Sequence, residues 1–187
     1  MNRIILLAAL AIVLCANAFG AGELSNRRAP GFSLPDQNLK QHDLYDYRGR
    51  VVIIDVMSVS CPHCATFSKV LEGVKRKYGN RVQILSVVNY RDNQAAVKKY
   101  MSDHGVGGSF LFDCGQMTAS YLQLSPAKPT YQTPHFFVID REGWIREDFG
   151  YNPLYQGIFE GEGIYGIIDK YVGPAEKANG AINVDGE

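Results

Sequence analysis

The chain has 187 residues with 19 Lys and Arg against 19 Asp and Glu, a formal net charge of zero. That balance provides no basic field to hold nucleic acid or an anionic membrane surface. Four cysteines are too few for a disulfide-stapled scaffold, and the length suits one domain of about 150 residues with a substantial core.

The N-terminus reads as a secretory leader over residues 1–18. Met1-Asn2-Arg3 carries one positive charge, Ile4 to Leu14 is apolar and uncharged, and Cys15-Ala16-Asn17-Ala18 supplies small residues for a cut after Ala18. The apolar run falls short of the about 20 residues that a membrane span needs. The expectation is therefore an exported, periplasmic or otherwise extracytoplasmic chain with no later membrane insertion. An uncleaved segment kept as an N-terminal anchor is the alternative.

Residues 19–28 are small and polar around Arg27-Arg28 and read as a flexible lead-in. Ala29 to Asp36 is extended and punctuated by proline. Asp43 caps a single helical turn that ends at Gly49. Val51 to Val56 holds one polar residue in six positions and reads as a buried strand. Ala65, Phe67, Val70, Leu71 and Val74 recur at helical spacing from Pro62 to Tyr78-Gly79. Val82 to Val88 is a second buried strand. Asp92 is placed to cap a helix through Ala95, Val97 and Met101 that stops near Gly105. Phe110 to Phe112 is extended, and Gln116 to Leu122 is a short helix. His135 to Asp140, the turn Arg141-Glu142-Gly143 and Trp144 to Phe149 form a β-hairpin with its glycine last. A helix over roughly Gly161–Val172 closes a domain spanning 29–172, and residues 173–187 form a mobile tail. Alternating strands and helices ending in a hairpin predict an α/β fold, a central mixed sheet with helices on both faces.

Chemistry concentrates at Cys61-Pro62-His63-Cys64, a CxxC between the first buried strand and the long helix. A helix N-terminus presents unpaired N–H groups that stabilise a thiolate, so Cys61 is the expected nucleophile. Pro62 suits the first helical position, where its missing N–H costs nothing. Cys64, one turn further in, is the buried partner that resolves the mixed disulfide. A protonated His63 adds positive charge near Cys61, favours the thiolate, and makes the disulfide more oxidising. Asp55 is the one acid in a buried strand, six residues before Cys61. Unpaired there, it should retain its proton well above the ordinary range and act as the base that deprotonates Cys64. Thr133-Pro134 precedes the strand from His135. A proline opening a strand cannot donate to the ladder, and its peptide bond can be cis or trans. Beside a CxxC, the Thr133 backbone is a candidate edge for an extended substrate.

Together these segments resemble the thioredoxin superfamily, in particular exported TlpA/ResA-like thiol–disulfide oxidoreductases. The resemblance rests on Ala29 to Asp36, Leu44 to Val56 with Arg48-Gly49-Arg50-Val51-Val52, Cys61–Cys64, and Thr133 to Gly143. It implies a thioredoxin fold, a redox-active Cys61–Cys64 disulfide as active centre, a cis bond at Pro134, and protein thiol or disulfide substrates with a separate redox partner. It implies no cofactor beyond that disulfide. Several residues depart from the family pattern. Ser60 stands where Trp usually precedes the first cysteine. Asp55 stands where the family usually has Asn; an acid there resembles thioredoxin itself and the disulfide-introducing DsbA type. Pro62-His63 is the DsbA dipeptide, and Phe67 replaces the glutamate of the ResA-type reductases. Leu124 to Gln132 also looks longer than the family's approach to the cis proline and is expected to shape a substrate groove.

The frame thus favours a reductase, while the residues around the sulfurs lean towards a disulfide-donating oxidase. A peroxiredoxin-like peroxidase shares Ser58-Val59-Ser60-Cys61 with the Ser/Thr-x-x-Cys pattern, but Ile54 stands where that motif has proline. A copper-delivery protein would use the cysteines with His135 as soft ligands, although such relatives separate their cysteines by three residues. A zinc site would need Cys114 and His104 or His135 to complete the set, so no metal is expected. Cys114 otherwise reads as a small buried apolar residue.

Overall fold

A computed structural model describes residues 22–88 and 91–173. The leader of residues 1–18 and the tail from residue 174 lie outside the described residues. Among the described residues, eight strands form two sheets. The smaller pairs β2 (Ser33–Pro35) with β3 (Gln41–Asp43) in antiparallel register. The larger runs in the order β1 (Arg27–Arg28), β8 (Trp144–Gly150), β7 (His135–Ile139), β4 (Val51–Met57), β5 (Val82–Val88) and β6 (Ser109–Phe112), the last three parallel. β7 and β8 form the expected hairpin, and β7 joins β4 antiparallel. The architecture is the mixed sheet predicted from the chain order.

Strand alternation decides which residues meet which helix. Val52, Ile54 and Val56 of β4 point to a core with Leu85, Leu111, Phe137 and, from α3 (Gln116–Leu122), Tyr121. Val51 and Ile53 point the other way, against Phe67, Leu71 and Val74 of α1 (Pro62–Tyr78) and Ile164 and Ile168 of α5 (Ile164–Val172). Met57 continues that second face into a third cluster with Cys64, Val88, Phe110 and, from α2 (Gln94–His104), Val97 and Tyr100. Asp55, between Ile53 and Met57, therefore lies on the face that the start of α1 covers.

Three expectations change. Asn93, not Asp92, caps α2, its side chain accepting from the Ala96 N–H at 2.9 Å. The closing helix α5 starts at Ile164, later than Gly161, and a separate short α4 (Gln156–Phe159) precedes it. Gly161 and Gly163 between them hold φ of 106° and 74°, conformations that side chains rarely adopt. The lead-in is also docked where it was expected to be loose. β1 (Arg27–Arg28) pairs with Ile145 and Trp144 of β8, Leu24 is buried, and its N–H donates to Asp148 Oδ2 at 2.9 Å.

The small sheet is fixed by a buried polar cluster. His42 hydrogen-bonds Tyr47 through Nδ1 and Asp36 Oδ2 through Nε2 at 3.1 Å, and the Asn38 and Lys40 N–H groups donate to Asp36 Oδ1. Asp43 caps the 3-10 turn Leu44–Tyr47, as the sequence suggests, accepting from Tyr45 N–H at 2.8 Å.

Candidate active site

Cys61 is the N-cap of α1, with extended backbone, and Pro62 occupies the first turn. The Cys64 N–H donates to Cys61 Sγ at 3.3 Å, so the sulfur takes one of the orphan donors of the helix start. The two sulfurs are unbridged; Cys61 is half-buried and Cys64 fully buried. On its outer side, Cys61 Sγ lies 3.5 Å from the carbonyl oxygen of Thr133. The Thr133–Pro134 peptide is cis, as the resemblance implied, and the Pro134 carbonyl accepts from the Tyr151 N–H at 3.1 Å. The predicted cysteines, Thr133 and Pro134 thus converge on one spot.

Beneath them the protons are held unusually. Cys64 is pushed far above the ordinary thiol range by burial, then by the charge of Asp55 and its contact with Cys61. Asp55 is 0 % exposed, and burial lifts its carboxyl to about 7, opposed only by the Ser86 hydroxyl. That hydroxyl donates to Oδ2 at a long 3.4 Å, while Oδ1 has no hydrogen-bond partner. A weakly partnered buried carboxylate that senses the Cys64 thiol is a competent proton acceptor for it.

His63 has a ring partner that the sequence did not suggest. Its ring is exposed and lies on Tyr151, centroids 4.1 Å apart and planes 23° from parallel. Among the described residues it makes no hydrogen bond to either sulfur. Tyr151 therefore touches both halves of the site, the cis-proline carbonyl through its backbone and His63 through its ring. Sequence reasoning missed it, yet the hairpin register holds the signal. His135 pairs with Gly150, so the residue after Gly150 must lie beside Pro134.

Asp92 was also missed as a site residue. Its Oδ2 accepts from the Val59 N–H at 3.1 Å and fixes the loop that delivers Cys61. That contact explains why the cap of α2 falls to the next residue. The other candidates lie apart from the sulfurs. The His135 ring stacks on Phe137, on the face opposite α1, and pairs with Asp148 at 3.2 Å. Cys114 is exposed, against the expectation of burial, because neighbouring Asp113 turns inward and caps α3 through Met117 and Thr118. Within the stretch 124–132, residues 125–128 form a tight turn in which Ser125 and Lys128 exchange backbone hydrogen bonds of 3.1 and 2.9 Å.

Comparison with known proteins agrees with this geometry. The chain is 28 % identical over 146 residues to the thiol–disulfide oxidoreductase ResA of Bacillus subtilis, covering 73 % of this chain and 78 % of the relative. The ResA of Geobacillus thermodenitrificans is 27 % identical over 149 residues, covering 77 % and 80 %. Among solved structures, a protein described as the thiol:disulfide interchange protein DsbE of Chlorobium tepidum superimposes with a TM-score of 0.64. It is 22 % identical and covers 80 % of this chain and 98 % of its own. A secreted disulfide oxidoreductase of Mycobacterium tuberculosis gives 0.56 at 16 % identity, covering 70 % and 92 %. At those identities the structures establish the thioredoxin fold, and the ResA relatives establish the chemistry, thiol–disulfide exchange. Residues 26–148 match the AhpC/TSA family, and with most of the folded domain inside that match the chain belongs to this family as a thiol–disulfide oxidoreductase.

Proposed function

We propose that the chain is an exported reductase that passes two electrons from the Cys61–Cys64 dithiol to disulfides of other proteins, with no cofactor beyond that pair. The direction rests on the family frame, shared with the ResA oxidoreductases over 146 and 149 residues. The His63 ring stacks on Tyr151 and, among the described residues, hydrogen-bonds neither sulfur, so any oxidising influence it has is by charge alone. Export rests on the leader-like residues 1–18, and a protein of this fold in Mycobacterium tuberculosis is described as secreted.

Cys61 thiolate attacks one sulfur of the substrate disulfide, forming a mixed disulfide and expelling the first substrate thiolate. The Cys64 proton passes to Asp55. Cys64 thiolate then attacks Cys61 Sγ, the Cys61–Cys64 bond forms, and the second substrate thiolate leaves and takes a proton from water. The protein disulfide is returned to the dithiol by an external thiol partner. An extended substrate lies along Thr133, whose carbonyl already faces Cys61 Sγ.

A disulfide donor would run the same steps backwards, so the reduction potential separates the two directions. Equilibration with glutathione should place the pair near the roughly −270 mV of thioredoxin, with insulin reduced by the dithiol form. A potential near the roughly −120 mV of DsbA overturns the reductase reading. Peroxide consumption or copper binding without insulin reduction overturns disulfide exchange as the main activity.

A further inference from the structure

Asp55 has a neighbour that the exchange steps above do not use. Ser86 stands opposite it in the parallel β4–β5 register, on the same face of the sheet, and is only 6 % exposed. Among the described residues, its hydroxyl is the one hydrogen-bond partner of the Asp55 carboxylate. The small surface that Ser86 retains opens into a cleft of 370 Å³ beneath α1, walled by Ser68, Leu71 and Glu72 on the helix side and Ile84 and Phe110 on the sheet side. That volume far exceeds the about 10–15 Å³ needed to admit one water. The buried acid thus has two approaches: Cys64 above it, and the cleft through Ser86.

We propose that Ser86 is a positioning residue for the resolving step. Its hydroxyl fixes Asp55 Oδ2, leaves Oδ1 to take the Cys64 proton, and joins the buried acid to water in the cleft. The inference rests on the reading of Asp55 as the proton acceptor. Geometry favours this division of the two oxygens, because Oδ1 is the one without a partner. The Ser86 contact also favours the charged carboxylate, so losing it should leave Asp55 protonated to higher pH. The other ionisable groups that sense this acid are Cys64 at the start of α1 and Tyr100 on α2, and Arg50, Glu72 and Lys75 line the cleft.

The reduced protein carrying Cys15→Ser and Cys114→Ser, mixed with 5,5′-dithiobis(2-nitrobenzoic acid), releases one aromatic thiolate when Cys61 is captured and a second when Cys64 resolves the mixed disulfide. Rapid-mixing traces across a pH series give the rate of each release. In Ser86→Ala the first release should keep its rate, while the pH midpoint of the second rises by about one unit. Ser86→Thr, which retains a hydroxyl, should restore the midpoint. Ile84→Phe, which fills the cleft and leaves the hydroxyl in place, should move the midpoint in the same upward direction. Asp55→Asn should abolish the midpoint, and adding Ser86→Ala to it should change nothing further. An unmoved midpoint in Ser86→Ala, or a further slowing in the double variant, overturns the role of Ser86 and leaves Asp55 as acceptor. An unmoved midpoint in Ile84→Phe alone overturns the water link. If Asp55→Asn resolves like the parent, the acceptor reading itself falls, and that outcome is distinct from the others.

Discussion

Asp36 and Asp55 are both buried acids, and they end with opposite proton affinities. Burial alone would raise each. At Asp36 the Asn38 and Lys40 N–H groups and His42 outweigh burial and hold the carboxyl below the ordinary range. At Asp55 burial wins, because one long hydroxyl contact is all that opposes it. The consequences for stability have opposite sign. Asp36 stabilises the fold above the unfolded carboxylate value and loses that contribution as the pH falls. Asp55 binds its proton more tightly folded than unfolded, so its stability is full in acid and is lost as the pH rises from 3.8 through about 7. That gap corresponds to a ceiling of about 4 kcal/mol. Asp55→Asn should therefore unfold at higher urea concentration than the parent at alkaline pH, with the difference vanishing near pH 4, although the variant resolves mixed disulfides more slowly. An equal difference at both pH values would contradict a charged, poorly solvated Asp55. The oddity of this residue was legible in the sequence, since one acid among Val51 to Met57 has few benign explanations. Its partner Ser86 was not, because a serine in a buried strand gives no signal until register sets it opposite an acid.

The start of α2 shows how elements compete for the same residue. Asp92 and Asn93 are both good caps, and sequence preference alone barely separates them. The structure spends Asp92 on the Val59 N–H, 33 positions earlier in the chain, and Asn93 takes the helix. Asn93→Ala should thus cost about 1 kcal/mol in equilibrium denaturation. Asp92→Ala should leave α2 intact and speed hydrogen exchange at the Val59 amide. If Asp92→Ala instead frays α2, the assignment of caps is wrong. The same competition explains Cys114. Its neighbour Asp113 is buried as a cap, and alternation along the short segment puts the cysteine outside. The long helix α1, β4, β5 and the hairpin were readable because periodicity and turn chemistry agree there. Short elements such as β1 and α4 have too few positions for a period to show.

At the scale of the whole molecule, the order of elements was readable while the order of strands in the sheet was not. Hydrophobic runs mark β4, β5 and β7 as buried without saying that β7 lies beside β4. The docked lead-in was invisible for a related reason, since an edge strand needs only a few anchors. Here they are buried Leu24, its N–H to Asp148, and Arg27, whose guanidinium donates to the Tyr121 carbonyl. Removing residues through Arg28 uncovers the edge of β8 and should lower the melting temperature by about 5 °C. An unchanged melting curve would mean that β1 adds nothing to the fold. The same edge has an optical consequence. Trp144, the single tryptophan of the chain, pairs with Arg28 in β1 and lies 5.4 Å beneath its guanidinium. Along β8 it is about 20 Å from the strand end that adjoins the cis proline. With Ser60 rather than a tryptophan before Cys61, tryptophan fluorescence in this protein is a gauge of N-terminal docking, and it is blind to whether the two sulfurs are joined.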